Sequence, residues 1–494
     1  MKKALTIVIL FISLSFWAQD SRIPLDTMVV TTNSVVIKGK TIPYKATTGM
    51  QPVWNDNGEI IASLYYTYYK RTDIKNTAKR PIVMSFNGGP GSASVWMHIA
   101  YTGPKVLNID NEGFPVQPYG VKDNPNSILD VADIVYVNPV NTGYSRPVVA
   151  KDKKLDKSLF FGINADVTYL AGWLNTFITR NNRWESPKYI IGESYGGTRV
   201  MGLADELQNK QWMYLNGVIM VSPADYKVLR TQSSVDYALN LPYFTAAAWY
   251  HKMLPPELQQ KDLLEILPES ENFAINSLLP ALAKGGFISK NEKNSIAKEF
   301  SKYSGLSEKV ILQNNLEVSP SFFWKDLLRN KTGQTIGRLD SRYLGLDRRE
   351  SGIKPDFNSE LTSWLHSFTP AINYYIREEL NFKTDIKYNV FGPVSPWDNR
   401  NNNVREGLRK AMAQNPYLKV LIQSGYYDGA TTYFSAKYTM WKTDPSGKMK
   451  DRFFFKGYRS GHMMYLRSED LQKANDDLRD FISNSLSNGK SAKY

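Results

Sequence analysis

Ser194 stands in Gly192-Glu193-Ser194-Tyr195-Gly196, directly after the apolar run Tyr189-Ile190-Ile191. A serine hydroxyl is a weak nucleophile until a base takes its proton and a third group orients that base. The flanking glycines suit this chemistry. They allow a tight turn from strand into helix that lifts the hydroxyl clear of the backbone. The helix expected from about Thr198 adds a field favourable to developing negative charge. Gly-x-Ser-x-Gly alone is also an ordinary turn, so the other groups must be found.

Four histidines are available as a base: His98, His251, His366 and His462. Only His462, in Ser460-Gly461-His462-Met463-Met464-Tyr465, follows a strand-like run (Phe453-Phe454-Phe455) late in the chain. For an elbow-borne nucleophile the chain order is nucleophile, acid, histidine, which favours His462. An acid is then needed between them. Asp428 lies just beyond Val420-Leu421-Ile422, beside Gly429 and 34 positions before His462. There it would accept the imidazole N–H, hold the tautomer and stabilise the imidazolium. Its bland alternative is a turn aspartate; that of His462 is a structural or surface histidine. A tetrahedral intermediate also needs N–H donors. Tyr195 offers one, and a glycine of Asn87-Gly88-Gly89-Pro90-Gly91 a second. That glycine loop would instead cradle phosphate if a Lys-Ser/Thr followed, and none does.

Several elements must position these groups. Pro81–Phe86, Ile134–Val137, Tyr189–Ile191, Val218–Val221, Val420–Ile422 and Phe453–Phe455 are short apolar runs, most of them β-branched, expected as buried strands of a mostly parallel sheet. Between them Val167, Leu170, Leu174, Phe177 and Ile178 recur at helical spacing. Alternation of the two patterns predicts an α/β fold. From 242 to 385 the strand signal fades. Helical patterns replace it, starting at Pro255-Pro256, at Asn276 and at Ser289 with Glu292 as a capping box, followed by a charged loop over 332–358. The expected division is therefore a signal peptide over 1–18, a first core segment over 19–241, a mainly helical insertion over 242–385, and a second core segment over 386–494.

Composition narrows the setting. Hydrophobic residues make up 42% of 494, enough for a large core. Lys2 and Lys3 precede an apolar stretch ending near Ala18, the pattern of a secretory signal and too short to span a bilayer comfortably. A secreted or periplasmic protein with no membrane span is expected. There is no cysteine, so disulfides, a thiol nucleophile and cysteine-based metal sites are excluded. No cofactor and no metal are called for. The net charge of +14 comes from scattered residues without a nucleic-acid-binding signature, so a solvated basic surface is expected rather than a nucleic-acid partner. Oligomeric state is not readable.

Together the blocks Asn87-Gly88-Gly89-Pro90-Gly91-Ser92, Pro139-Val140-Asn141-Thr142-Gly143-Tyr144-Ser145, Gly192–Gly197, Gly425-Tyr426-Tyr427-Asp428 and Gly461-His462-Met463 resemble the serine carboxypeptidase family, and best its cysteine-free, secreted bacterial branch. The resemblance spans roughly residues 80 to 465. It implies an α/β-hydrolase fold whose helical insertion forms a lid. Ser194 would be the nucleophile, His462 the base and then acid, and Asp428 its orienter, with Gly89 and Tyr195 as the oxyanion hole. Asn87, the Gly88 backbone and Glu193 would bind the terminal carboxylate of a peptide substrate, which requires Glu193 to be protonated and favours acidic pH. Three positions depart from the family. Ser92 replaces a cysteine, and Ser85 stands where many members have tryptophan. Tyr101 stands where eukaryotic members carry a glutamate before Gly-Pro; its hydroxyl, neutral below about pH 10, can still donate. An esterase, aminopeptidase or acyltransferase on the same scaffold, or a silent binding protein, are the rival readings.

Overall fold

The structure, a computed structural model, describes residues 23–492 apart from 151, 225–232, 401 and 488. The expected signal peptide lies outside the described residues.

Among the described residues, nine strands make the main path of the central sheet: β1 (Thr27–Ile37), β2 (Lys40–Trp54), β3 (Ile60–Arg71), β4 (Ile82–Phe86), β5 (Asp133–Val137), β6 (Lys188–Glu193), β7 (Gly217–Val221), β8 (Lys419–Gly425) and β9 (Phe453–Tyr458). They lie in the order β1-β2-β3-β5-β4-β6-β7-β8-β9, with the short pair Arg146–Pro147 added beside β3. From β5 to β9 every pairing is parallel, and β1 to β3 join as antiparallel neighbours. All six strands expected from apolar runs are present.

The antiparallel edge was not read from sequence. Its outer strand β1 alternates exposed and covered residues instead of forming a continuous apolar run, which is the pattern of a sheet with one wet face.

Alternation along the parallel strands feeds two cores. On β6, Tyr189 and Ile191 face one and Ile190 the other. Helices Ile163–Arg180, Tyr195–Lys210 and Val404–Gln414 cover the second face, while Val95–Ala100 and Ser468–Ser485 cover the first. Both faces are therefore dry, and strand ends are the surface left for chemistry.

The stretch 242–385 is mainly helical, but packing divides it. Residues from Ala238 to Ile336 form a third core that reaches Tyr427, Tyr433 and Phe434 just beyond β8. Trp364, Phe368 and Ile372 of helix Ser359–Tyr374 instead join the main core beside Trp96. Half of the expected capping box is present: Ser289 accepts from the Glu292 N–H at 3.2 Å and starts helix Lys290–Ser304, while the Glu292 carboxylate pairs with Lys284 at 2.6 Å. Among the described residues no helix is long and apolar enough to cross a membrane.

Candidate active site

Ser194 sits at the junction of β6 and helix Tyr195–Lys210 with φ +60° and ψ −123°. Such a backbone costs a non-glycine residue about 1–3 kcal/mol and persists only where its surroundings impose it. They do so here. The Ser194 N–H donates to Val221 O at 2.9 Å, and its carbonyl accepts from Gly197 and Ala224. Gly192 is required by crowding, since a Cβ there would lie 2.1 Å from Gly196 O. At Gly88 a Cβ would lie 2.6 Å from Tyr195 N, so the glycine loop after β4 packs directly on the elbow.

His462 and Ser194 line one cleft. Nδ1 of His462 is 2.7 Å from Asp428 Oδ2. An ionised carboxylate only accepts, so Nδ1 is assigned the proton and Nε2 is left as the acceptor. Asp428 is completely buried after β8, and it is held by the N–H groups of Ala430 and Thr431 and by the Thr431 hydroxyl at 2.6 Å. Burial works against a charged His462, but the charge and hydrogen bond of Asp428, with help from Glu193, hold its pKa above the ordinary value. The other histidines lie elsewhere. His98 is buried against Tyr136 and bonded to Tyr69, its pKa pushed down to about 3 by burial. His251 bonds the Ser341 carbonyl, and His366 is exposed on helix Ser359–Tyr374.

Glu193, buried and adjacent to the serine, borders the same cleft. Burial raises its pKa from 4.5 to about 7, against the opposing pull of His462, Tyr465 and Asn87. The Tyr465 hydroxyl donates to its Oε2. Asn87 is also buried; its Oδ1 accepts from Met97 N–H, and among the described residues its Nδ2 makes no hydrogen bond within 3.5 Å. Gly88 and Gly89 complete this end. The carbonyl of Asn87 is gripped from behind by Arg199, which pairs at 2.7 Å with the buried Asp166; Tyr195 and Tyr169 donate to the same carboxylate.

Tyr101 does not join the group. Its hydroxyl donates to Gln423 at 2.6 Å, its ring is fully buried, and it stacks on Tyr465 behind the cleft. The residue that does reach Glu193 is Tyr465, three positions after His462 in a block already singled out. Its spacing was the available signal. Loop residues Arg338 and Leu339, with Leu361 and Trp364, form the opposite wall. From sequence, Arg338 and Leu339 fall in the charged loop over 332–358 and all four residues in the expected lid, with no individual role assigned to them.

The family model for serine carboxypeptidases matches residues 39–462. The chain belongs to the serine carboxypeptidase family. Among curated relatives, serine carboxypeptidase-like 31 of Arabidopsis thaliana is 25% identical over 228 residues, which is 44% of this chain and 41% of that protein. The human retinoid-inducible serine carboxypeptidase is 29% identical over 150 residues, 29% of this chain and 28% of that one. The chain thus aligns with well under half the length of these relatives. Among solved structures, the prohormone-processing carboxypeptidase Kex1ΔP of Saccharomyces cerevisiae superposes with a TM-score of 0.54 at 14% identity, covering 90% of this chain and 92% of that one. The fold is that of the α/β-hydrolases, with a mostly parallel sheet.

Proposed function

We propose that this serine carboxypeptidase family member releases C-terminal residues from peptides through an acyl-enzyme. The pairing of Asp428 with His462 in the cleft that holds Ser194 carries the reading. Ser194 Oγ attacks the last peptide carbonyl and gives its proton to His462 Nε2. The N–H groups of Gly89 and Tyr195 receive the oxyanion. The C–N bond then breaks, His462 protonates the departing amine, and water repeats the sequence on the acyl-serine. Asn87, the Gly88 backbone and protonated Glu193 hold the substrate carboxylate, with Tyr465 bracing Glu193. A buried carboxyl with a pKa near 7 is protonated at acidic pH, as that role requires.

The segment 242–385 acts as the lid, since Arg338, Leu339, Leu361 and Trp364 from it wall the cleft. Export is our reading of the charged and then apolar N-terminus.

One comparison tests the activity. A blocked dipeptide with a free C-terminal carboxylate is incubated beside its C-terminal amide, with wild type and Ser194→Ala. Cleavage of the acid alone, lost in Ser194→Ala, is expected. Equal cleavage of the amide would favour an esterase-like or other acyl hydrolase, and activity surviving in Ser194→Ala would remove Ser194 as the nucleophile.

A further inference from the structure

Arg338 brings a cation into the cleft on a loop tied to the catalytic segments. Its carbonyl accepts from Gly429 N–H at 3.0 Å, next to Asp428. The following carbonyl, of Leu339, accepts from His462 N–H at 2.6 Å, and the Leu339 N–H donates to Glu360 Oε1 at 2.8 Å. Gly337 N–H closes the loop on Tyr343 O. Backbone bonds on both sides therefore hold the residue in register with the catalytic dyad.

Its side chain is treated differently from other arginines at the site. Arg342 is paired with Asp340 at 2.7 Å, and Arg199 with Asp166. Arg338 is exposed to the cleft, and no side-chain hydrogen bond or ion pair of it is found among the described residues. An unpaired guanidinium on a braced loop is a preorganised site for a carboxylate.

Its place narrows which carboxylate. The backbone of its loop is bonded to the segments that carry Asp428 and His462, and its charge is felt at His462 and at Glu360. Those bonds bring the cation in from the His462 side of the cleft, while the Glu193–Asn87 end is the one we assign to the terminal carboxylate. The same cleft is also lined by the apolar side chains of Trp96, Leu361, Trp364, Phe391 and Met463. A residue lodged there with its terminal carboxylate at Glu193 would send its side chain along an apolar wall to a cation. We infer that Arg338 is a specificity-determining residue that selects an acidic side chain, Asp or Glu, on the residue released. This rests on the carboxypeptidase reading above.

The test uses blocked dipeptides that share one acyl residue and end in Glu, Gln, Leu or Lys, assayed at about pH 6, where a glutamate side chain is ionised. Wild type should prefer Glu to Gln about tenfold or more in kcat/KM. Arg338→Gln should erase that preference while leaving the Leu peptide within about twofold, and Arg338→Glu should favour Lys over Glu. An unchanged Glu-to-Gln ratio in Arg338→Gln overturns the inference. So does an equal loss on all four peptides, which would mean that the loop only supports His462. If wild type cleaves none of the peptides yet hydrolyses a simple ester through Ser194, the carboxypeptidase reading itself fails and this inference with it.

Discussion

Tyr465 donates its hydroxyl to Glu193 while its ring lies flat on Tyr101, centroids 4.8 Å apart and planes 8° from parallel. One side chain thus braces the buried carboxyl and covers the tyrosine that sequence comparison would have aimed at the substrate. The tyrosine that tunes Glu193 therefore comes from the histidine loop, acting beside Asn87 of the loop after β4.

Removing this hydroxyl has a definite sign. A donor stabilises the ionised carboxylate, so its loss raises the Glu193 pKa further above about 7. In Tyr465→Phe, the alkaline limb of the peptidase pH profile should move up by about one unit, the equivalent of one charge-assisted hydrogen bond. A limb that stays in place, with the fold intact, would show that Glu193 does not set it.

Glu193 itself should divide peptides from esters. Below about pH 7 it is protonated and can donate to a substrate carboxylate; above that it is ionised and repels it. KM for an acid peptide should therefore climb as pH passes about 7, with little change for an ester lacking the carboxylate. Glu193→Gln keeps an amide donor at every pH and should flatten that climb. Steady-state KM measured from pH 5 to pH 8.5 decides it.

For Asp428→Asn the expected effect falls on turnover. The amide can donate to Nδ1 and so favours the wrong imidazole tautomer, which in a triad costs about 10⁴ in kcat. KM should move little, because Asp428 is buried away from substrate. A loss below about tenfold would mean that another group orients His462, with Thr431, 3.1 Å from Nδ1, the first to examine.

Arg199→Leu tests the support behind the elbow. Asp166 and Arg199 are both buried, and stranding Asp166 should cost about 3–5 kcal/mol of stability. Urea unfolding would read this as a lower midpoint. Combining it with Asp166→Leu should recover part of the loss, since the uncompensated charge is gone. A double variant no better than the single one would assign the cost to packing and to the lost hydrogen bond to Asn87 O.

Ser194, Asp428 and His462 were readable because each follows a short apolar strand in a fixed chain order, and local pattern alone carries that information. The same holds for the parallel strands, whose burial on both faces leaves continuous apolar runs such as Val218–Val221. The β1–β3 edge escaped because its one-sided burial dilutes the apolar signal to alternation.

What the chain could not declare by itself was which side chains from distant segments share the space above Ser194. Tyr101 and Tyr465 are 364 positions apart, and only packing decides which hydroxyl meets Glu193 and which meets Gln423. Arg338 reads in sequence as one more surface cation. It becomes a cleft residue because its backbone is bonded to the loops that carry Asp428 and His462. The positions of Ser194, Asp428 and His462, the proposed nucleophile and its partners, were thus legible in local sequence, where a strand and a turn suffice to present them. The substrate-facing walls were decided by tertiary structure, because they depend on long-range packing that no local period encodes.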